Sequence, residues 1–154
     1  MATVNLSSQF ENNLRRVSEV GVATFPAKVS IGGDRLGQKD KLMTAGTIYT
    51  VYTIPADSVA TKIYYIVDEP FDASVTAEVK TIAGTPVTLD AAIDLTKKGL
   101  TISAKSDLYF SKTDGFAVKL SKAPTKGSFR IVAEFISAST NVGIYVDMPP
   151  VSVV

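Results

Sequence analysis

The chain has 154 residues, of which 45% are hydrophobic and 20% are charged, and its formal net charge is +1. This composition is typical of one globular domain, which at this length buries roughly 70% of the surface of its unfolded chain. Because the chain contains no Cys, no His and no Trp, disulfide scaffolds, zinc and haem sites, and nucleophile systems built on His or Cys are excluded.

The side chains that remain for catalysis are those of Asp, Glu, Lys, Arg and Tyr. Hydrolases that use a pair of carboxylates show that such an enzyme is possible. The chain nevertheless lacks the one side chain that ordinarily titrates near neutrality, which lowers the expectation of acid–base catalysis. We therefore predict that the protein is not an enzyme and holds no cofactor or metal ion.

Charge is distributed unevenly along the chain. Residues 56–95 carry two basic and seven acidic side chains, whereas residues 96–130 carry eight basic and two acidic side chains. Seven of the eight basic side chains in this stretch are Lys. It lacks the pattern of a nucleic-acid reader, in which Arg side chains alternate with stacking aromatic residues, so we predict no nucleic-acid partner. Two interpretations stay open: solvated strand faces, or charged faces that orient neighbouring subunits.

The first 16 residues are mostly polar, with scattered apolar residues, and they lack the continuous apolar stretch that a signal peptide contains. No run approaches the roughly 18 apolar residues that a membrane span requires. We therefore predict a protein made in a cytoplasm with no membrane partner.

The N-terminal segment has the spacing of a helix. Ser8 and Glu11 have the arrangement of a capping box, and Gly21 is placed to end a helix. We predict an N-terminal arm of residues 1–21 with a short helix, whose apolar face covers either its own domain or a neighbouring protein. The apolar positions of this face are Leu6, Phe10, Leu14 and Val17, and the last three are candidate partner contacts.

From Val22 onward apolar and polar residues alternate, as in "VTAEVK" and "SFRIVAEFI". Such alternation predicts strands with one buried face and antiparallel pairing. "TIYTVYTI" and "KIYYIVD" are apolar on both sides, which predicts strands covered on both faces. Turn signals, mostly 10 to 16 residues apart, favour a sandwich or barrel over residues 22–148.

Three segments need a separate interpretation. "TDGF" is a strong hairpin signal, because Asp-Gly accommodates positive φ. "TLDAAIDLTKKGL" predicts a long loop with a short helix at most. The diproline in "DMPPVSVV" predicts an extended tail, residues 149–154, which either adds a strand to a neighbour's sheet or completes its own sheet. Val151 and Val153 are its candidate partner contacts.

The loop "DEPFD" groups three acidic side chains, Asp68, Glu69 and Asp72. A calcium loop needs six or more ligands and usually a glycine, so we interpret these residues as a solvated loop or an electrostatic partner contact. Asp90 and Asp94 form a second acidic pair, but nothing near them in sequence predicts the apolar pocket that a catalytic pair requires. "GGDRLGQKDK" lacks the Lys that directly follows the last Gly of a phosphate loop.

About half of the chain, residues 54–136, resembles small β-rich virion proteins of tailed bacteriophages, of the capsid cement or decoration type. The matching elements are the turn "IPA", the acidic loop "EPFDA", the element "IDLTKKG" and the final strand "IVAEFI". The resemblance implies an antiparallel jelly-roll or related β-sandwich in which Phe71 points inward while the acidic side chains face solvent or a basic neighbour.

The resemblance also implies a function. Proteins of this type are located on the virion, where they bind the outer capsid surface and bridge subunits of the major capsid protein. They form small homo-oligomers, here expected to be dimers or trimers at capsid symmetry axes. The arm and the tail lie outside the matching region and are equally compatible with a head-fibre base, a tail-associated protein or an adaptor. A receptor- or carbohydrate-binding module is a further alternative, although the chain is poor in aromatic platforms.

Overall fold

The structure, a computed structural model of the chain, describes residues 3–5, 18–31 and 39–138. Within these ranges the chain forms twelve strands and no helix. The strands are β1 (Thr3–Asn5), β2 (Ser18–Pro26), β3 (Lys28–Ile31), β4 (Lys39–Leu42), β5 (Ile48–Ile54), β6 (Ser58–Glu69), β7 (Thr76–Thr81), β8 (Thr88–Asp94), β9 (Gly99–Ile102), β10 (Leu108–Phe110), β11 (Asp114–Leu120) and β12 (Ser128–Ser137).

The strands form two five-stranded sheets and one hairpin. Sheet A has the order β1-β5-β11-β7-β8, and sheet B has the order β10-β6-β12-β2, with β9 also paired to β6. Neighbouring strands are antiparallel, except that β1 runs parallel to β5. The hairpin of β3 and β4 is separate. The predicted all-β antiparallel architecture is therefore confirmed, and its jelly-roll form stays a prediction.

The alternation of buried and partly exposed side chains along β12 explains which side of this strand faces the core. Phe129, Ile131, Ala133 and Phe135 are buried, while the side chains between them are partly exposed. These four residues face sheet A, so they form one side of the core. Fully burying a large apolar side chain stabilises the fold by about 1.5–3 kcal/mol, which fixes the face that β12 turns inward.

Aromatic rings fill the core near one end of sheet B. The rings of Phe25 and Phe129 are stacked with centroids 5.3 Å apart. Phe71 approaches Phe129 edge-on, with centroids 5.9 Å apart. Such pairs add about 0.5–1.5 kcal/mol beyond their burial, so this cluster ties the acidic loop to two strands of sheet B.

The two segments that are apolar on both sides differ in the structure. In β5, consecutive residues Tyr49, Thr50 and Val51 are buried, as expected for a strand covered on both faces. In β6, burial alternates: Tyr65 is buried, whereas Tyr64 remains partly exposed. The prediction for β6 was wrong, because no layer of the described residues covers its outer face.

The structure does not support the predicted N-terminal helix. Residues 18–21, which the prediction placed in the last turn of the helix, belong to β2. Pairing with β12 explains this result, since nine residues of β2 are in register with that strand. Residues 6–17 lie outside the described residues.

Two other predictions were wrong. The segment expected to be a long loop contains β8, whose Leu89 and Ile93 are buried, so tertiary packing decides its conformation. The Asp-Gly sequence, residues 114 and 115, was expected to form the turn of a hairpin, but these residues begin β11. The strands on either side of it, β10 and β11, belong to different sheets and do not pair with each other. The chain crosses between the sheets at this point.

Asp114 and Gly115 have a structural role at this crossing. The buried carboxylate of Asp114 accepts hydrogen bonds from the backbone N–H groups of Ile82, Ala83 and Gly115, at 2.8, 3.1 and 2.7 Å. The register with β5 shifts between residues 114 and 115, and the backbone of β5 comes so close that a side chain at Gly115 has no space. The motif thus connects β11 with the loop that follows β7.

The predicted domain boundaries stay predictions. The expected domain end at residue 148 and the tail of residues 149–154 lie outside the described residues. At the other end, β2 begins at Ser18, four residues before the expected domain start at Val22.

We predict that Gly115→Ala strongly destabilises the fold. A Cβ at residue 115 would overlap the carbonyl oxygen of Val51 and lie 2.6 Å from Cα of Tyr52. Because both are backbone atoms, β5 would have to move, at a cost near or above the upper end of the about 1–3 kcal/mol typical of overpacking. Denaturant unfolding measures this free energy.

Gly84→Ala is the matched control. Gly84 has open space around it and a φ of +64°, so the substitution costs only the backbone strain of about 1–2 kcal/mol. Equal losses of stability in the two variants would contradict the proposed role of Gly115.

Candidate interaction surface

The acidic loop, residues 68–72, begins with an ion pair within the chain. The guanidinium of Arg130 donates to both carboxylate oxygens of Asp68, with Nε–Oδ2 at 2.7 Å and Nη2–Oδ1 at 2.8 Å. This hydrogen bonding lowers the pKa of the Asp68 carboxyl below its ordinary value. The pair joins the end of β6 to β12 on the outer side of sheet B.

The other end of the acidic loop is also fixed within the chain. The carboxylate of Asp72 accepts hydrogen bonds from the backbone N–H and, at 2.9 Å, from the hydroxyl of Thr125. These bonds, with the backbone one first, lower the pKa of the Asp72 carboxyl. The acidic loop thereby holds the loop between β11 and β12.

Phe71 lies between these two acidic residues and points inward, as predicted. Its side chain is buried, and its backbone N–H donates to the carbonyl of Leu95 at 2.9 Å. Gly127 makes room for the ring, since a Cβ there would lie 2.6 Å from it. The acidic loop is therefore a structural connection with a buried aromatic anchor.

This geometry bears on the predicted partner contacts. Asp68 and Asp72 have hydrogen-bond partners within the chain, while Glu69 is exposed. The role of all three as partner contacts stays a prediction. The other predicted contacts lie outside the described residues: Phe10, Leu14, Val17, Val151 and Val153.

A surface that the sequence interpretation missed lies on the outer side of sheet B. Val132 of β12 is directly opposite Val22 of β2 and Tyr64 of β6. Tyr64 is in turn opposite Ile102 of β9. Residues that are directly opposite share a face, so four strands contribute one continuous apolar row.

A second row enlarges this surface. Ile66 of β6 is opposite Leu100 of β9. Leu100 and Ile102 are 57% and 60% exposed, and Val22 is 46% exposed, so these apolar groups are in contact with solvent. We call this surface the apolar face, which comprises Val20, Val22, Tyr64, Ile66, Leu100, Ile102, Val132 and Ile136.

Charged groups lie within and around the apolar face without carrying one dominant sign, and Glu134 lies on β12 between Val132 and Ile136. The Arg130–Asp68 pair lies beside Ile66. The hydroxyl of Tyr64 donates to Oε1 of Glu134 at 3.2 Å, and Lys62 is directly opposite Glu134. An apolar centre with a polar rim is the usual composition of a protein–protein interface.

The outer side of sheet A is different. Glu78 accepts from Lys80 and from Lys119, each at 2.7 Å. The hydrogen bonds from Lys119 and Lys80 lower the pKa of the Glu78 carboxyl. This arrangement suits a surface in water, so the two outer faces of the sandwich differ in polarity.

The polar groups of β8 support the structure and are not arranged as a catalytic pair. The buried Tyr65 hydroxyl donates to Oδ2 of Asp90 at 2.6 Å, and Ser103 donates to the same oxygen at 2.8 Å. Burial, aided by Asp90, raises the pKa of Tyr65. Asp94 accepts instead from Thr96.

The described residues contain no group of three or more Asp and Glu side chains placed to hold a metal ion. In the same part of the chain, no helix has the length and hydropathy needed to cross a membrane.

Comparison with solved structures relates this fold to phage capsids. A chain in the acidic stable capsid structure of Helicobacter pylori bacteriophage KHP30 is 19% identical, with 81% of this chain and 91% of that chain covered and a TM-score of 0.54. A chain in the cyanophage Pam1 capsid is 10% identical, with 84% of this chain and 91% of that chain covered and a TM-score of 0.57. A chain in the capsid of Ralstonia phage GP4 is 13% identical, with 89% of this chain and 100% of that chain covered and a TM-score of 0.53.

No family model matches the sequence, and no curated protein matches it. At these identities the similarity is one of fold. The predicted resemblance to small β-rich phage virion proteins is confirmed at that level: the protein has the β-sandwich fold of chains found in phage capsids.

We predict that Arg130→Gln raises the pKa of Asp68 toward the ordinary value of an aspartate. The guanidinium stabilises the ionised carboxylate, and a neutral amide does so less. A pH titration followed by NMR at the side-chain carboxyl carbon measures this change. Asp94 is the internal control, since its lowered pKa depends on Thr96.

The pH dependence of stability provides a second readout. Because the pKa of Asp68 is lower in the folded chain, the stability contributed by the ion pair is complete above the unfolded pKa and is lost as the pH falls through the folded pKa. Wild type is therefore more stable than Arg130→Gln near neutral pH, and the difference disappears in acid. A difference that grows in acid would contradict this interpretation.

Proposed function

We propose that this protein is a bacteriophage capsid cement or decoration protein, which binds the outer capsid surface and bridges subunits of the major capsid protein. The observation that carries the proposal is the apolar face, an exposed sheet surface on a sandwich whose fold occurs in phage capsids. Apolar surface in contact with water costs about 25 cal/mol per Å². A partner that covers this face removes that cost.

The size of the apolar face indicates how it is used. Four strands about 4.8 Å apart and seven residues at about 3.3 Å each give an area of about 19 by 23 Å, on the order of 440 Å². This area is an upper bound for the apolar face, because it includes the charged side chains of Arg130, Glu134 and Lys62. A standard interface buries about 800 Å² per partner. The face alone thus supports a weak contact, and stable attachment requires further contacts.

We propose that the N-terminal arm supplies one of these further contacts, through Phe10, Leu14 and Val17. We propose that the tail, through Val151 and Val153, and the acidic loop supply further contacts with the capsid around the apolar face. Ordering an arm on a partner costs about 2–5 kcal/mol, which only a correctly assembled lattice offsets. Such an arrangement favours the finished shell over free subunits.

The proposal includes a homo-oligomer, a dimer or trimer at a capsid symmetry axis. Several weak contacts held by one oligomer reinforce each other through effective concentration. The protein is made in the host cytoplasm, is incorporated at the capsid surface and performs no reaction.

We predict that the double substitution Leu100→Ser and Ile102→Ser weakens capsid binding at least tenfold. Both side chains are more than half exposed, so the fold loses little. On the capsid they would lose burial worth about 1 kcal/mol or more each, and 1.4 kcal/mol corresponds to a factor of about ten. Co-sedimentation with capsids that lack this protein measures the affinity.

Lys80→Ser with Lys119→Ser, on the outer side of sheet A, is the matched control and should bind nearly as wild type does. Unchanged binding of the folded Leu100→Ser, Ile102→Ser variant would reject the apolar face as the docking surface.

A second prediction concerns the arm. Phe10→Ser with Leu14→Ser should reduce capsid binding and leave the Tm of the free protein unchanged, because the arm is proposed to pack on the partner. Asn12→Ser with Asn13→Ser is the control within the same segment. A lower Tm with undiminished binding would instead place the arm on its own domain.

A further inference from the structure

Strand β2 forms one edge of sheet B. It is paired with β12 over nine consecutive residues without a register shift, and its other side has no strand partner within the described part of the chain. Along an antiparallel ladder, every second residue directs its N–H and C=O groups away from the paired neighbour. β2 therefore presents a row of backbone groups that another extended chain can join.

The other edge strands of the two sheets are shorter or irregular. Strands β1 and β10 have three residues each, and β9 has four. Strand β8 is paired with β7 through two register shifts. Short strands, bulges and charged side chains are the means by which sheet edges avoid pairing. The described outer-face side chains of β2 are Val20, Val22 and Thr24, which are exposed and uncharged, so this long edge lacks such protection.

The sequence of β2 is suited to pairing with a second copy of itself. Residues 18–24 read "SEVGVAT". When two such segments run antiparallel with Gly21 opposite Gly21, Val20 lies opposite Val22 of the copy, and the hydroxyl residues at the two ends lie opposite each other. Side chains that match their opposite neighbours in this way contribute to strand pairing. Pro26, which has no N–H to donate to a ladder, falls outside the paired segment.

A pair of this kind has two-fold symmetry, and its axis is perpendicular to the sheet. The outer surfaces of both B sheets then lie on the same side, with Val20 and Val22 of the two copies at the centre. Two surfaces of about 440 Å² each give on the order of 880 Å², which reaches the about 800 Å² per partner of a standard interface. Pairing therefore supplies the area that a single copy lacks.

We propose that β2 pairs with β2 of a second copy of this chain, antiparallel about a two-fold axis at Gly21, so that the two B sheets form one continuous sheet. The inference deepens the proposed function, on which the link to the capsid rests. It identifies the homo-oligomer as a dimer and names the strand that joins the two chains. The pairing itself is measured without capsids.

Sedimentation of the full-length protein over a range of concentrations tests the dimer, which should have twice the mass of one chain. Val20→Lys with Val22→Lys should raise the dissociation constant of the dimer about tenfold or more, because each Lys lies opposite a Lys of the copy. Leu42→Lys with Val87→Lys is the matched control, since these two side chains are exposed to a similar degree and lie outside β2. The control should dimerise as wild type does, and the Tm of each variant verifies that it is folded.

Introduced cysteines test the register, because the chain contains no Cys. An equimolar mixture of Val20→Cys and Val22→Cys chains, allowed to exchange and then mildly oxidised, should give a covalent dimer. Each variant alone should give about tenfold less, since its two cysteines are two residues out of register and too far apart for a disulfide. Efficient cross-linking of Val22→Cys alone would overturn the register centred on Gly21.

The failure of this inference is distinguishable from the failure of the proposed function. A wild-type protein that stays monomeric, or a dimer that both Lys pairs affect equally, would overturn the pairing of β2. The Leu100→Ser, Ile102→Ser variant should remain a dimer while it loses capsid binding. A dimer of this variant that binds capsids as wild type does would reject the docking surface and would support the pairing.

Discussion

The structure depends on the register in which β12 lies between β6 and β2. Because side chains alternate along a strand, a shift of one residue would move every inward side chain of β12 to the outside. The observed register places Phe129 and Ile131 in the core and Val132 in line with Val22 and Tyr64. One constraint thereby determines both the hydrophobic core and the apolar face.

The acidic loop maintains this arrangement at one end of the sandwich. Asp68 holds Arg130 of β12, Asp72 holds the loop before β12, and Phe71 packs its ring against Phe129. The acidic loop joins β6 to β7, and its contacts with β12 and with the loop between β11 and β12 fix where β12 begins. The contrast between the two outer surfaces follows from side-chain chemistry: sheet A presents ion pairs to water, and sheet B presents aliphatic groups.

Much of the fold could be predicted from the sequence, because alternation in strands such as β7 and β12 is a local signal. The inward position of Phe71 followed from a family resemblance. β8 could not be predicted, since Leu89 and Ile93 are buried by partners distant in the chain. The role of Asp114 depends on backbone N–H groups about 30 residues earlier, as the separation of the bonded residues shows.

The apolar face required information that no single segment contains. Each of its four strands contributes two apolar residues, and only the pairing of β2, β12, β6 and β9 brings them together. The sequence signal that was available is the apolar character of "KIYYIVD" on both sides. It was interpreted as burial by a second layer, whereas the structure leaves that side of β6 open within the described residues.

Cryo-electron microscopy of particles that carry the protein would test the central claim most directly. The account predicts that the outer side of sheet B, with Val22, Val132 and Ile102, is in contact with major capsid protein, while Glu78 and Lys119 on sheet A face solvent. A map in which sheet A contacts the shell and sheet B faces solvent would contradict it.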